Sequence, residues 1–397
     1  MARTLALVGL ALCVSFSTAA AGVEDVTIGG RFMWDAGAWS NVDDDLEMYA
    51  GVFENGTETR TARVEASGHI YPRMAFKLSW DFAAGDSYCL KHSYLEVSEV
   101  PVVHNLRAGY FFEPVGLQSQ MSSKYYTFLE PALPTALAPF RNAGLMAHRG
   151  FMEGRGLWQA GFFLTTDSMA EKSGDDDYSL AGRLAFVPFG APDENMFVHI
   201  GLSGNYQKPE ESLRFRARPE NHMSAYLIDT GSMANVEHVI RLGGEVAAVY
   251  GPFHCAAEFL NAAVSSDEDE MVDPDRIGLQ DDAAFTGYYL QAGYFVTGER
   301  RAYGGGNWSR TAPEEVLFED GGLGAVALAI RYSSLDLNDE NAGVYGGRLD
   351  DVSLGVNWYF HANARMMCNY VLAMVKDADD EEIGCADAFV TRLQFDF

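Results

Sequence analysis

The chain has 397 residues and a formal net charge of −28, from 28 Lys and Arg against 56 Asp and Glu. That balance argues against nucleic acid as a natural partner. Hydrophobic residues make up 48% and aromatic residues 13%, with 40 glycines, yet no apolar run after the N-terminal segment is long enough to cross a bilayer as a helix, so the apolar content must be spread by alternation.

The N-terminus carries Arg3, an apolar core over 5–16 and the small-residue stretch Ala19-Ala20-Ala21. This is the pattern of an export signal, so residues 1–21 are expected to be a signal peptide and 22–397 the mature chain. Cys13 falls inside the signal and lacks the small residue before it that a lipoprotein anchor needs. Cys89, Cys255, Cys368 and Cys385 are scattered and form no CxxC, so neither a zinc site nor a dense disulfide framework is indicated, and one bridge remains open. No cofactor is indicated.

From residue 25 onward the sequence repeats segments of about ten residues that are apolar at every second position. In the first, Val26, Ile28, Phe32 and Trp34 share one face and Thr27, Gly29, Arg31, Met33 and Asp35 the other. Met74, Phe76, Leu78, Trp80 and Phe82 repeat this against Arg73, Ala75, Lys77, Ser79 and Asp81. The segments fall at 25–36, 59–70, 73–83, 88–98, 103–112, 145–153, 157–166, 179–187, 196–206, 239–250, 253–264, 284–297, 323–335, 348–360, 364–375 and 387–397. A soluble sandwich would share the alternation, but the even number of segments predicts an all-β chain folded as a transmembrane antiparallel β-barrel of about sixteen strands.

Connections alternate in length. Tyr71-Pro72, Gly251-Pro252 and 361–363 are short, whereas 37–58, 207–238 and 265–283 are long, the asymmetry between inner turns and external loops of outer-membrane barrels. The acidic clusters at 43–45, 175–177, 267–270, 336–340 and 379–382 all lie on the long-loop side. They keep the loops solvated or bridge divalent cations and lipopolysaccharide. The long break 298–322 falls on the short-turn side and does not fit the alternation. Phe397 ends the last alternating segment, which is the address read by the barrel-assembly machinery.

The connection 113–142 carries Pro114, Pro131, Pro134 and Pro139 around Ser122-Ser123-Lys124. It is expected to fold into the lumen as a constriction loop with Lys124 at the narrowing. In 213–218 the alternation Leu213-Arg214-Phe215-Arg216-Ala217-Arg218 puts three guanidiniums on one face of an extended strand. Arginine stays charged and its fork matches phosphate oxygens, so such a ladder suits an anion path. On the wall, Arg31 and Arg63 have inward parity, whereas Arg60 reaches the pore only if the strand has not begun or is bulged there. Inward glutamates such as Glu65 could instead pair with Arg31 and Arg63.

Ile28-Gly29-Gly30-Arg31, Ser122-Ser123-Lys124, the 214/216/218 arginines, Gly287-Tyr288-Tyr289 with Thr297-Gly298-Glu299, Gly355-Val356-Asn357-Trp358-Tyr359 and Val390-Thr391-Arg392-Leu393-Gln394 resemble the phosphate-selective porin O and P family over nearly the whole mature chain. The resemblance implies a homotrimer of sixteen-stranded barrels in the bacterial outer membrane, with an arginine ladder (Arg214, Arg216, Arg218), wall arginines (Arg31, Arg60) and a constriction lysine (Lys124) that bind phosphate. The family's phosphate pores carry a second arginine directly after the position of Arg60. Here Thr61 stands there and Arg63 follows two residues later. No arginine follows Lys124 where a binding one is expected, and Leu90 replaces an acidic partner.

The expected function is an anion-preferring channel for phosphate or polyphosphate. A general or cation-leaning diffusion porin is the alternative. A barrel hydrolase is disfavoured because His92 and Ser93 are neighbours on a strand and face opposite ways. A purely structural or adhesive surface protein would conduct nothing.

Overall fold

The computed structural model describes residues 24–51, 53–83, 89–165, 177–209, 212–267, 276–319 and 321–397; the expected signal peptide and parts of the acidic clusters at 175–177 and 267–270 lie outside them. Numbering the barrel strands in chain order, β1 is Glu24–Val42, β2 Gly56–Tyr71, β3 Met74–Asp81, β4 Leu90–Val100, β5 His104–Phe112, β6 Arg141–Phe151, β7 Gly156–Leu164 and β8 Tyr178–Gly190. They are followed by β9 Met196–Lys208, β10 Val236–Tyr250, β11 Phe253–Ser266, β12 Ala283–Phe295, β13 Ala325–Asp339, β14 Val344–His361, β15 Ala364–Lys376 and β16 Glu382–Asp396. Each pairs antiparallel with its neighbours in sequence, and β16 pairs with β1, so the sheet closes into a sixteen-stranded barrel. Closure matters because no edge is left whose peptide groups would face hydrocarbon.

The alternation read from the sequence is the alternation of the wall. In β12, Tyr288, Leu290 and Tyr294 point outward and Phe285, Tyr289 and Gln291 are buried inside. In β1, Val26, Ile28 and Trp34 are exposed to the lipid side while Arg31, Met33 and Asp35 are buried in the lumen. The seam is continued by Phe397, whose backbone N–H and C=O both pair with Gly30 at 3.1 Å.

One expectation needs correction, and two open points are answered. The sixth strand begins at Arg141, not 145, because Phe112 and Arg141 already pair in register as the chain leaves the long β5–β6 connection. The exception at 298–322 is explained by its described residues, 298–319 and 321–322, which form more than a turn. It lies on the inner rim between β12 and β13 and folds up into the lumen, where Arg301, Trp308 and Thr311 are buried. Its tip is a small ribbon, Tyr303–Gly304 against Asn307–Trp308, turned by Gly305 and Gly306 with φ of 61° and 76°, the paired positive values that a tight hairpin turn needs. The pairing left open for Cys89, Cys255, Cys368 and Cys385 is likewise answered, since no disulfide is present among the described residues.

Two apolar clusters fill much of the barrel. On the outer half, Val115, Leu133 and Leu137 of the β5–β6 loop pack with Leu213, Phe215, Leu227 and Ile228 of the β9–β10 connection against Leu260, Phe285 and Leu335 of the wall. On the inner half, Leu117, Met121 and Ala132 pack with Trp308 and Tyr303 against Phe197, Ala247 and Tyr289. Loops and inner plug thus occupy the lumen along β8–β15. Space is left beside β1–β6.

Candidate functional site

The β5–β6 loop is latched to the wall through one carboxylate. Glu258 of β11 accepts hydrogen bonds from the backbone N–H of Leu117 at 2.5 Å and Gln118 at 3.0 Å, and from the Tyr289 hydroxyl at 2.8 Å. Gly116, at φ 71°, lets the loop approach so closely that a Cβ there would stand 2.8 Å from the Glu258 carboxylate. Further along, inward arginines donate to loop carbonyls: Arg392 to Leu129 at 2.5 Å, Arg331 to Glu130 at 3.0 Å and Arg365 to Tyr126 at 2.8 Å. These arginines hold backbone in place of water.

Between this loop and β1–β6 lies a cavity of about 390 Å³. Seven cationic side chains line it, Arg31, Arg60, Arg63, Lys77, Lys91, Arg141 and Arg392, together with one carboxylate, Glu130. Arg31 donates to Glu65 at 2.9 Å and to the hydroxyls of Ser122 and Ser123 at 3.2 and 2.9 Å, tying wall to loop. Arg63 pairs with Asp81 at 3.0 Å, and Lys77 shares Glu65 at 3.3 Å. Arg60 grips Glu130 bidentately at 2.9 Å in both bonds, and Arg392 bridges Glu130 at 2.7 Å and Asp35 at 2.6 Å. The seven cations therefore face four carboxylates, Glu65, Asp81, Glu130 and Asp35, and three positive charges remain over. Burial pushes the Glu130 carboxyl up, but Arg60 and Arg392 outweigh it and hold the group well below the usual carboxylate range.

Two bulges feed the chamber. Met33 pairs with Thr61 and Trp34 with Thr59, which leaves Arg60 as an extra residue turned inward beside Thr61. Ser79 pairs with His92 and Trp80 with Leu90, which does the same for Lys91. A bulge breaks the period of two, so neighbouring side chains share one face.

The 214/216/218 arginines alternate as expected: Leu213, Phe215 and Ala217 are buried, and Arg214 and Arg216 are exposed in the mouth. Arg216 and Arg218 lie 4.0 and 4.3 Å from the centre of the Tyr226 ring, and Arg214 pairs with Asp229 at 2.5 Å. Arg218 also donates to the carbonyl of His222, whose ring meets Glu58 at 2.9 Å, two residues before Arg60. The segment is moored by Glu220, which is ion-paired to Arg331 and receives the Ser353 hydroxyl at 2.6 Å.

Lys124 is not among the residues lining the chamber. Its Nζ sits 3.3 Å from Asp396, which Arg310 of the inner plug also grips, in a small pocket near the inner rim with Arg301 and Arg365. Sequence reasoning gave no role to Lys91 or Arg141. Lys91 was hidden by its bulge, and Arg141 stood in what read as loop. Inward parity did mark Lys77, and Arg392 stood in the Val390–Gln394 motif.

A family profile described as phosphate-selective porin O and P matches residues 26–397. An uncharacterized protein of Caulobacter vibrioides is 31% identical over 287 residues, covering 68% of this chain and 54% of that protein, so the chain spans about half the length of this curated relative. Porin O of Pseudomonas aeruginosa is 24% identical over 424 residues, 95% of this chain and 91% of that protein. A solved anion-selective porin from Comamonas acidovorans superposes with a TM-score of 0.56 at 13% identity, over 94% of this chain and 99% of that one. The closed barrel with an inward loop is the architecture of a channel rather than an enzyme. By the match across nearly all of its length, the chain belongs to the phosphate-selective porin O and P family of the bacterial outer membrane.

Proposed function

We propose that the chain forms a water-filled channel that prefers anions and passes phosphate or polyphosphate passively into the periplasm, without enzymatic activity. One observation carries this reading: the described cavity between loop and wall has seven cations on its lining against one carboxylate. A focused positive potential raises the local concentration of anions. The order of contacts suggests a route, from Arg216 and Arg218 past His222 and Glu58 to Arg60, then to Arg63 and Arg31. Arg31, Arg60, Arg63, Arg214, Arg216 and Arg218 are the proposed anion-contacting residues, and Lys124 acts from the inner rim through Asp396.

The same reading takes residues 1–21 as a cleaved signal peptide, residues 22–397 as the barrel, Phe397 as the signal for the barrel-assembly machinery, and a homotrimer as the working form. The acidic outer loops are proposed to meet lipopolysaccharide through divalent cations. The test is the zero-current potential of the purified protein in a planar bilayer under a chloride gradient, with phosphate titrated in. Anion preference and block by phosphate support the proposal. A cation-leaning current would make the chain a general diffusion porin.

A further inference from the structure

Five of the seven chamber cations have a carboxylate partner: Arg31 and Lys77 share Glu65, Arg63 has Asp81, Arg60 has Glu130 and Arg392 has Asp35. The other two do not. Among the described residues no carboxylate pairs with Arg141 or Lys91, although Arg141 is only 8% exposed and its Nε has no hydrogen-bond partner. A buried guanidinium without a counter-charge is costly.

What surrounds Arg141 is aromatic. Its guanidinium carbon lies 3.7 Å from the centre of the Phe112 ring and 5.0 Å from that of Phe140, and the two rings meet edge-on at 5.4 Å. His92 adds a third ring, 5.5 Å from Phe112, with a buried Nδ1 that also lacks a partner. Stacking occupies the face of a guanidinium and leaves its in-plane N–H fork free, which is the geometry that grips an oxyanion in two bonds. Phe140 is 57% exposed and lines the same cavity, so the apolar surface beside the fork is open to an arriving solute.

We propose that the Arg141–Lys91 corner is a subsite for organic oxyanions, a phosphate or carboxylate group carrying an aromatic or aliphatic part, and that it favours them over inorganic phosphate. The oxyanion docks on Arg141 and Lys91, and the apolar part lies against Phe112 and Phe140. This rests on the anion-preferring reading of the chamber and names the class of anion within it.

The experiment compares block of the chloride current through the purified protein in planar bilayers by inorganic phosphate, phenyl phosphate and benzoate. Phenyl phosphate is expected to block at about tenfold lower concentration than inorganic phosphate, equivalent to about 1.4 kcal/mol. Benzoate blocking as well as phenyl phosphate would assign the site to the oxyanion-plus-ring pattern, and benzoate failing would restrict it to phosphate esters. Arg141→Gln and, separately, Phe140→Leu should bring the phosphate and phenyl phosphate concentrations together. Phe140→Leu serves if Arg141→Gln does not fold. Equal block of the native channel by the two phosphates overturns the subsite while leaving the anion channel standing. A native channel with no anion preference in its zero-current potential instead removes the reading beneath it.

Discussion

The Nζ of Lys124 lies 3.3 Å from the carboxylate of Asp396, and Arg310 of the inner plug holds the same carboxylate. One acid at the end of the last strand thus restrains two cations. Asp396→Asn is expected to release both and shift the zero-current potential further toward anions, at a stability loss of up to about 3–5 kcal/mol for a broken buried pair. Lys124→Gln should change selectivity less than Arg60→Gln, because Arg60 lines the chamber and Lys124 lies outside it beside Asp396. The opposite order in the same bilayer recording would refute this.

Glu130 is the one carboxylate on the chamber lining, held by Arg60 and Arg392. Glu130→Gln should raise anion selectivity, and it should destabilise the barrel by about 1–3 kcal/mol in urea unfolding from lipid, since two guanidiniums lose their shared counter-charge and one of its two acceptor oxygens. The sign with pH follows from the lowered pKa of Glu130. Its stabilising contribution is fully present above the unfolded value of about 4.3 and is lost only as pH falls through the lower folded value. The Glu130 contribution to selectivity should therefore be flat between about pH 5 and 8. A titration centred in that range would contradict the assigned pairing.

Trp308 anchors the inner plug, packed 6.5 Å from Phe197 and 6.2 Å from His254 between ring centres. Asn307 donates to the carbonyl of Leu117 at 2.9 Å, and Tyr303 meets His199 at 2.7 Å. Trp308→Ala should cost about 3–5 kcal/mol and loosen the plug, giving larger and noisier single-channel steps. Unchanged conductance with lowered stability would mean that ions never pass on that side of the lumen.

Arg216 and Arg218 are stacked on Tyr226 at the mouth, with no carboxylate paired to either among the described residues. Their charges are screened within about 3 Å at 1 M salt but reach about 30 Å at 0.01 M. The double change Arg216→Gln with Arg218→Gln should lower anion conductance in dilute salt and leave it nearly untouched in concentrated salt. Equal loss in both would place these residues at the narrowing instead of the entrance.

The wall was legible because lipid outside and polar lumen inside force a period of two on every strand, and β12 keeps it for thirteen residues without interruption. The chamber was legible only in part. Arg31 and Arg63 follow parity, but Arg60 and Lys91 owe their position to bulges, which depend on partner strands and leave no local signature. Arg141 takes its role from pairing across to Phe112. The fate of Lys124 was settled by Asp396, which is 272 residues away in sequence. The plug escaped because its ribbon is short and the contacts that fasten it to the loop and wall, such as Asn307 to Leu117, are distant in the chain.

The seam between Gly30 and Phe397 makes the very last peptide group part of the wall. An unfinished or clipped copy lacks that rung, and β1 then shows unpaired backbone to hydrocarbon at the inner rim. The rungs from Arg31–Asp396 to Val42–Ala386 still shut the ring in such a copy, so the Gly30–Phe397 pair acts as its hem: it seals the last stretch of the seam where the wall meets the inner surface of the membrane.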